Sequence, residues 1–119
     1  MNNRRKLLKA FGAGVITAPL ASFAQQQGKV WRIGFLGVTS ASGYASELEA
    51  IRGRFRDLGY AEGRNIVIEY RWAEGNPERL KEMAAELVAL KVDVIITHSL
   101  PGARTAAQAT TTIPIVIAD

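Results

Sequence analysis

Apolar residues run almost unbroken from Val30 to Val38 (VWRIGFLGV), a pattern that suits a central strand covered on both faces. The period then changes. In ASELEAIRGRFRDLGY (Ala45 to Tyr60), Leu48, Ile51, Phe55 and Leu58 recur at helical spacing, while Arg52, Arg54, Arg56 and Asp57 fall largely elsewhere. Ser46 and Glu49 have capping-box spacing near the start of this helix, and Gly59 suits the left-handed residue after its last turn. Gly53, inside the helix, costs up to about 1 kcal/mol in propensity and predicts close packing on a sheet.

A turn at Glu62 to Asn65 leads into IVIEYRW, which alternates strictly. Ile66, Ile68, Tyr70 and Trp72 share one face, and Val67, Glu69 and Arg71 the other. That alternation marks a strand with one wetter face, at the edge of a sheet. A second helix follows, with Asn76 as N-cap, Pro77 in the first helical position and Glu78 near the positive end; Leu80, Met83, Leu87 and Leu90 form its buried stripe. VDVIIT (Val92 to Thr97) reads as a short buried strand. LPGARTAAQATTT (Leu100 to Thr112) reads as an alanine-rich helix, and IPIVIAD (Ile113 to Asp119) as a last strand, with Pro114 near its start, where a missing N–H is tolerated. The order is β-α-β-α-β-α-β, an α/β fold in which a parallel sheet is flanked by helices on right-handed crossovers.

Composition narrows the chemistry. The chain has 119 residues, no cysteine and one histidine, so thiolate–metal, iron–sulfur and disulfide chemistry are excluded and His98 alone builds no metal site. The formal charge of +4 is confined to the start: Arg4, Arg5, Lys6 and Lys9 are the only charged residues before Gln25, and the remainder balances. No basic patch is left to track a nucleic acid. Residues 1–24, MNNRRKLLKAFGAGVITAPLASFA, have the form of an export signal: a basic head, an uncharged stretch from Ala10 to Ala24, and small Ser22 and Ala24 before the expected cleavage after Ala24. The RRKLLK run resembles a twin-arginine signal, with general secretion the other route. Residues 25–29 are then a polar leader, and the mature protein works in the periplasm.

If the wetter second strand is an edge, the strand order is 2-1-3-4. Ligands of such sheets bind at the carboxyl ends of the strands where the order reverses, here between the loops GVTSASGY (Gly37 to Tyr44) and HSLPGA (His98 to Ala103). Gly34, Gly37 and Gly43 do not have the dinucleotide spacing, and no lysine follows Gly43 as a P-loop requires. Around Ser99, Thr97 and Pro101 stand where a nucleophile elbow has glycines. Glu47, Glu49, Glu78, Glu82 and Glu86 have the spacing of solvated helix faces. A hydrogen-bonding mouth without a reactive group remains. Thr39, Ser40, Ser42 and Ser99, with N–H groups at two helix N-termini, suit a carboxylate or other small polar anion. Tyr44 offers a ring to an apolar ligand body. Each has a plainer role open to it: Ser42 or Ser46 as a helix cap, Tyr44 as packing, His98 as a hydrogen-bonded structural residue.

LGYAEGRNIVIEYRWAEG with its following ERL, then LKVDVIITH, then ATTTIPIVIAD, resemble the start of substrate-binding proteins of ABC importers, in their tryptophan/tyrosine-type branch. The resemblance implies the first part of lobe 1 of a type I periplasmic-binding-protein-like fold, whose two lobes close on a small-molecule ligand. It implies an aromatic amino acid or related carboxylate as ligand, an ABC permease in the inner membrane as partner, no cofactor and no catalysis. Thr39, Ser40, Ser42, His98, Ser99 and Leu100 fall in its cleft-lining loops, and Asp119 at the end of the fourth strand. Family members are longer, so residues 30–119 are expected to be a partial N-terminal lobe of a fragment or truncated product, with the second lobe missing. A flavodoxin-like or hydrolase-like enzyme domain is the alternative, and the missing phosphate and nucleophile signatures count against it. The sensor domain of a repressor shares this kind of fold, but an export signal stands where its helix-turn-helix would be.

Overall fold

Strand β1 (Trp31–Gly37) is buried from Ile33 onward because it lies between two parallel neighbours, β2 (Ile66–Trp72) and β3 (Val94–Thr97). The structure, a computed structural model, describes residues 29–118, so the expected export signal, most of the expected leader and Asp119 lie outside the described residues. The sheet is completed by β4 (Ile115–Ile117) on β3, giving the order β2-β1-β3-β4 with every pairing parallel. This is the order expected from the alternation of β2. The connections are a 3-10 turn (Ala41–Tyr44) running into α1 (Ala45–Asp57), then α2 (Pro77–Ala89) and α3 (Leu100–Ala109).

Alternation along β1 sends Phe35 and Leu36 to opposite faces, each into its own core. On one face α2 and α3 bury Leu36, Leu80, Met83, Leu87, Ile95 and Ala106; Leu36, Leu87 and Ile95 are wholly enclosed. α2 lies close to β1 because Gly34 has no side chain: a Cβ there would meet both methyl groups of Leu87 at 3.1 Å. On the other face, among the described residues, α1 is the helix that covers Ile33, Phe35, Ile66 and Ile96, with Ile51, Phe55, Tyr60, Ile68 and Tyr70 packed around them.

The helix ends show where local signals held and where they gave way. Asn76 caps α2, its Oδ1 accepting from the N–H groups of Glu78 and Arg79 at 2.9 and 3.2 Å, with Pro77 opening the helix. Gly59 takes its expected left-handed conformation (φ 94°), and Tyr60 N–H closes on Phe55 C=O at 2.8 Å. Ser46 is not a cap. The 3-10 turn runs straight into α1, Tyr44 occupies the N-cap, and Ser46 Oγ donates to Glu47 Oε1 instead. Leu58 leaves the buried stripe because α1 stops at Asp57, and it is 64% exposed. Gly53 makes no close approach to the sheet: a Cβ there would meet only the Arg56 guanidinium, at 3.6 Å. α3 ends at Ala109 rather than Thr112, where Thr110 Oγ1 accepts from the N–H groups of Thr112 and Ile113, both at 3.2 Å, and turns the chain into β4.

Candidate functional site

At the carboxyl ends of the strands, three loops are tied into one surface. The loop after β2 donates Ala73, Glu74 and Gly75 N–H to the carbonyls of Gly37, Thr39 and Val38, at 2.9, 2.9 and 2.8 Å. Aiming those donors together requires left-handed backbone at Glu74 (φ 55°) and Gly75 (φ 78°). From the β3 side, His98 Nε2 accepts the Val38 N–H at 3.1 Å. Val38 is thus held through its N–H by one loop and through its C=O by another. Beneath them, buried Thr97 donates its hydroxyl to Leu36 C=O at 2.9 Å, and α3 sits close over Thr97 because Gly102 presents no Cβ. Ala118 N–H bonds Thr97 C=O at 2.8 Å, which brings the end of β4 to the same edge.

Aromatic rings fill the space behind the loops. Tyr44 packs on His98 with ring centroids 3.8 Å apart, and lies nearly parallel to Trp72 at 6.2 Å. Phe35, in the core below, reaches Trp72 at 5.4 Å and stacks on His98 at 6.2 Å. The Trp72 indole covers Gly37 so closely that a Cβ there would overlap the ring.

The proposed ligand residues divide into outward and inward groups. Thr39 and Ser42 are exposed and Ser40 is half-buried; Ser40 and Ser42 hydroxyls share a hydrogen bond at 3.2 Å. Thr39 Oγ1 has no hydrogen-bond partner among the described residues. Leu100 is exposed at the start of α3. Ser99 is the N-cap of α3, accepting from Gly102 N–H at 3.4 Å. Tyr44 and His98 are half-buried in the aromatic layer. Burial holds the His98 pKa below its ordinary value, opposed by its own backbone and by the Glu47 carboxylate. Asp119 lies outside the described residues. Sequence reasoning missed Trp72 and Phe35 as parts of this layer, and the Glu74–Gly75 turn; Trp72 closing the alternating run of β2 was the one available signal.

This surface is an open wall rather than an enclosed cavity. A hollow of about 360 Å³ opens beside it between α2 and α3, lined by Val38 and Gly75 of the wall together with Asn76, Lys81, Arg104 and Gln108. Another, of about 320 Å³, lies at the opposite end of the sheet among Trp31, Ile33, Phe55, Tyr60 and Val94. Neither touches the hydroxyls of the first loop. Among the described residues no group of histidine and acidic side chains is arranged to hold a metal ion. The wall presents exposed hydroxyls beside a half-buried ring, and among the described residues none of those hydroxyls is hydrogen-bonded to a base.

Comparison with known proteins agrees with this fold. Residues 33–119 match the family described as ABC transporter substrate binding protein. A tyrosine-binding protein of Clostridioides difficile is 36% identical over 61 residues, covering 51% of this chain and 18% of that protein. The ligand-free, open structure of a substrate-binding protein with adhesive properties from Clostridium difficile superposes with a TM-score of 0.68 at 26% identity, over 74% of this chain and 30% of that one. A conserved domain protein from Vibrio cholerae gives a TM-score of 0.70 at 27% identity, over 75% and 30%. The chain spans less than a third of the length of each.

Proposed function

The chain belongs to the ABC transporter substrate-binding protein family, and on that premise we propose that it forms the first part of a lobe capturing a small solute with an aromatic body and a carboxylate, such as an aromatic amino acid. The observation that carries this reading is the pairing of outward hydroxyls with a ring on one wall. Thr39, Ser40 and Ser42 stand beside Tyr44, which is itself backed by Trp72 and His98. The hydroxyls would hold the carboxylate and the Tyr44 face the aromatic body; Ser99, Leu100 and Asp119 would flank the solute from the β3 and β4 sides. The 36% identity to a tyrosine-binding protein supports the same ligand class. Residues 1–24 would direct export, with cleavage after Ala24, so that the 30–119 lobe meets solute in the periplasm and delivers it to an inner-membrane ABC permease. Its role is capture, without catalysis.

The test is a titration of the isotope-labelled chain with L-tyrosine and L-tryptophan, with L-alanine as control, read as amide and side-chain chemical-shift changes. Aromatic amino acids are expected to move Thr39, Ser40, Ser42 and Tyr44 selectively. Equal response to alanine, or no response at saturating aromatic amino acid, would overturn the assignment.

A further inference from the structure

We propose that His98 is the positioning residue of this wall: as a neutral imidazole it fixes the loop after β1, and its protonation frees that loop and weakens solute capture. The second half rests on the solute-binding reading above; the first does not. An imidazole nitrogen that accepts the Val38 N–H must present a lone pair, so the neutral ring carries its proton on Nδ1. An imidazolium has no lone pair on either nitrogen. On protonation the Val38 N–H would face another N–H and lose its partner in a half-buried place. Among the described residues the loop's backbone ties to other loops would then come from the β2 side alone, through Glu74 and Gly75, with the Val38 side chain still packed on the α2–α3 core. Thr39, Ser40 and Tyr44 would move with it, and the geometry in which the Tyr44 and His98 rings meet at 3.8 Å would change.

The groups packed against His98 set the direction of its titration. Phe35 from β1, Trp72 from β2 and Tyr44 from the 3-10 turn contribute uncharged rings. The first turn of α3, Leu100 to Ala103, brings no charge. Glu47 of α1 favours the protonated ring, and burial outweighs it. The folded ring therefore binds its proton less readily than an unfolded chain does. The tie is complete above the ordinary imidazole value of about 6.5 and is lost as pH falls through the lower folded one.

Since the chain has a single histidine, labelling that residue type alone with ¹⁵N reports His98 without interference. The expected spectrum at pH 8 is the Nδ1–H tautomer, titrating below the ordinary value, with the Val38 amide shift following the same curve. The His98→Gln variant offers a neutral acceptor near the Nε2 position and should hold the Val38 shift constant from pH 8 to 5. The Nε2–H tautomer, or an imidazole titrating at its ordinary value, overturns the proposal whatever the chain's state. For capture, L-tryptophan affinity is expected to fall by up to about tenfold per pH unit below the ring's pKa, and not in His98→Gln. Absence of binding at pH 8 with the tautomer intact would sink the solute-binding reading and leave the tie standing. Binding that stays constant while the ring titrates would sink the coupling and leave that reading standing.

Discussion

Replacing Gly37 by alanine tests whether the aromatic layer depends on a missing side chain. Gly37 stands opposite Trp72 in the parallel register, and a Cβ would overlap the six-membered half of the indole. Either the ring or the strand must move. The ring is the softer choice, because β2 is an edge strand and Trp72 is only half-buried. Moving it breaks the Phe35 contact at 5.4 Å and the Tyr44 stack at 6.2 Å. Such pairs contribute about 0.5–1.5 kcal/mol each, and overpacking of this kind costs about 1–3 kcal/mol, so about 2 kcal/mol is expected for Gly37→Ala. Urea unfolding followed by far-UV circular dichroism measures it. The decisive form is a double-mutant cycle with Trp72→Leu, in which Gly37→Ala should cost less than about 1 kcal/mol because the ring it strikes is gone. If the alanine costs the same in both backgrounds, within about 0.5 kcal/mol, the glycine is not there for the ring and the reasoning fails.

Two further contrasts probe the fold beneath the wall. Leu87→Ala, at a wholly enclosed position against Gly34, should destabilise by about 2–5 kcal/mol, whereas Leu58→Ala, beyond the end of α1, should stay within about 0.5 kcal/mol; comparable losses in thermal melts would place the α2 core wrongly. Asn76→Ala removes a cap with two N–H partners and should cost about 1 kcal/mol in chemical denaturation. Ser46→Ala should cost next to nothing, and a loss of similar size there would restore the capping box that the 3-10 turn displaces.

The sheet was legible in the sequence because its signals are local and periodic. The unbroken apolar run of β1 and the alternation of β2 place one strand in the middle and the other at an edge, and the order β2-β1-β3-β4 follows. Asn76 with Pro77, and Gly59, were legible for the same reason: each acts on backbone within a few residues of itself. The misses share a different cause. Ser46 has the right spacing, but the turn before it already supplies helical backbone. Thr110 to Thr112 continue an alanine-rich run, yet one hydroxyl accepting from two N–H groups stops the helix first. At the wall, the polar residues of both loops could be placed at the strand ends from topology. The tie between Val38 and His98 links positions 60 residues apart. No spacing rule reaches across that distance, and the hydrogen-bonded role of His98 became visible only with the contact.

How the wall divides its labour follows from what is already bonded. Each backbone group of Val38 has a partner in another loop, so the platform is ordered before a solute arrives and less entropy is lost on binding. The hydroxyls facing outward are hydrated, and exchanging water for a carboxylate yields only about 0.5–1.5 kcal/mol per neutral hydrogen bond and roughly 1.5–3 kcal/mol for a charged one. Association costs several kcal/mol at the least. A few hydroxyls on an open surface therefore orient a solute but do not hold it. Retention has to come from burying the apolar body of the solute, at about 25 cal/mol per Å², and on this wall Tyr44 is the residue that presents such a surface next to the hydroxyls. One wall buries one side of a ring. The open substrate-binding structure it superposes on is more than three times longer than the stretch it matches, and a second surface closing over Tyr44 would double the buried area while leaving the orienting contacts unchanged. On the proposed reading, orientation would belong to Thr39, Ser40 and Ser42, retention to Tyr44 and whatever closes over it, and the fixed spacing between the two to His98.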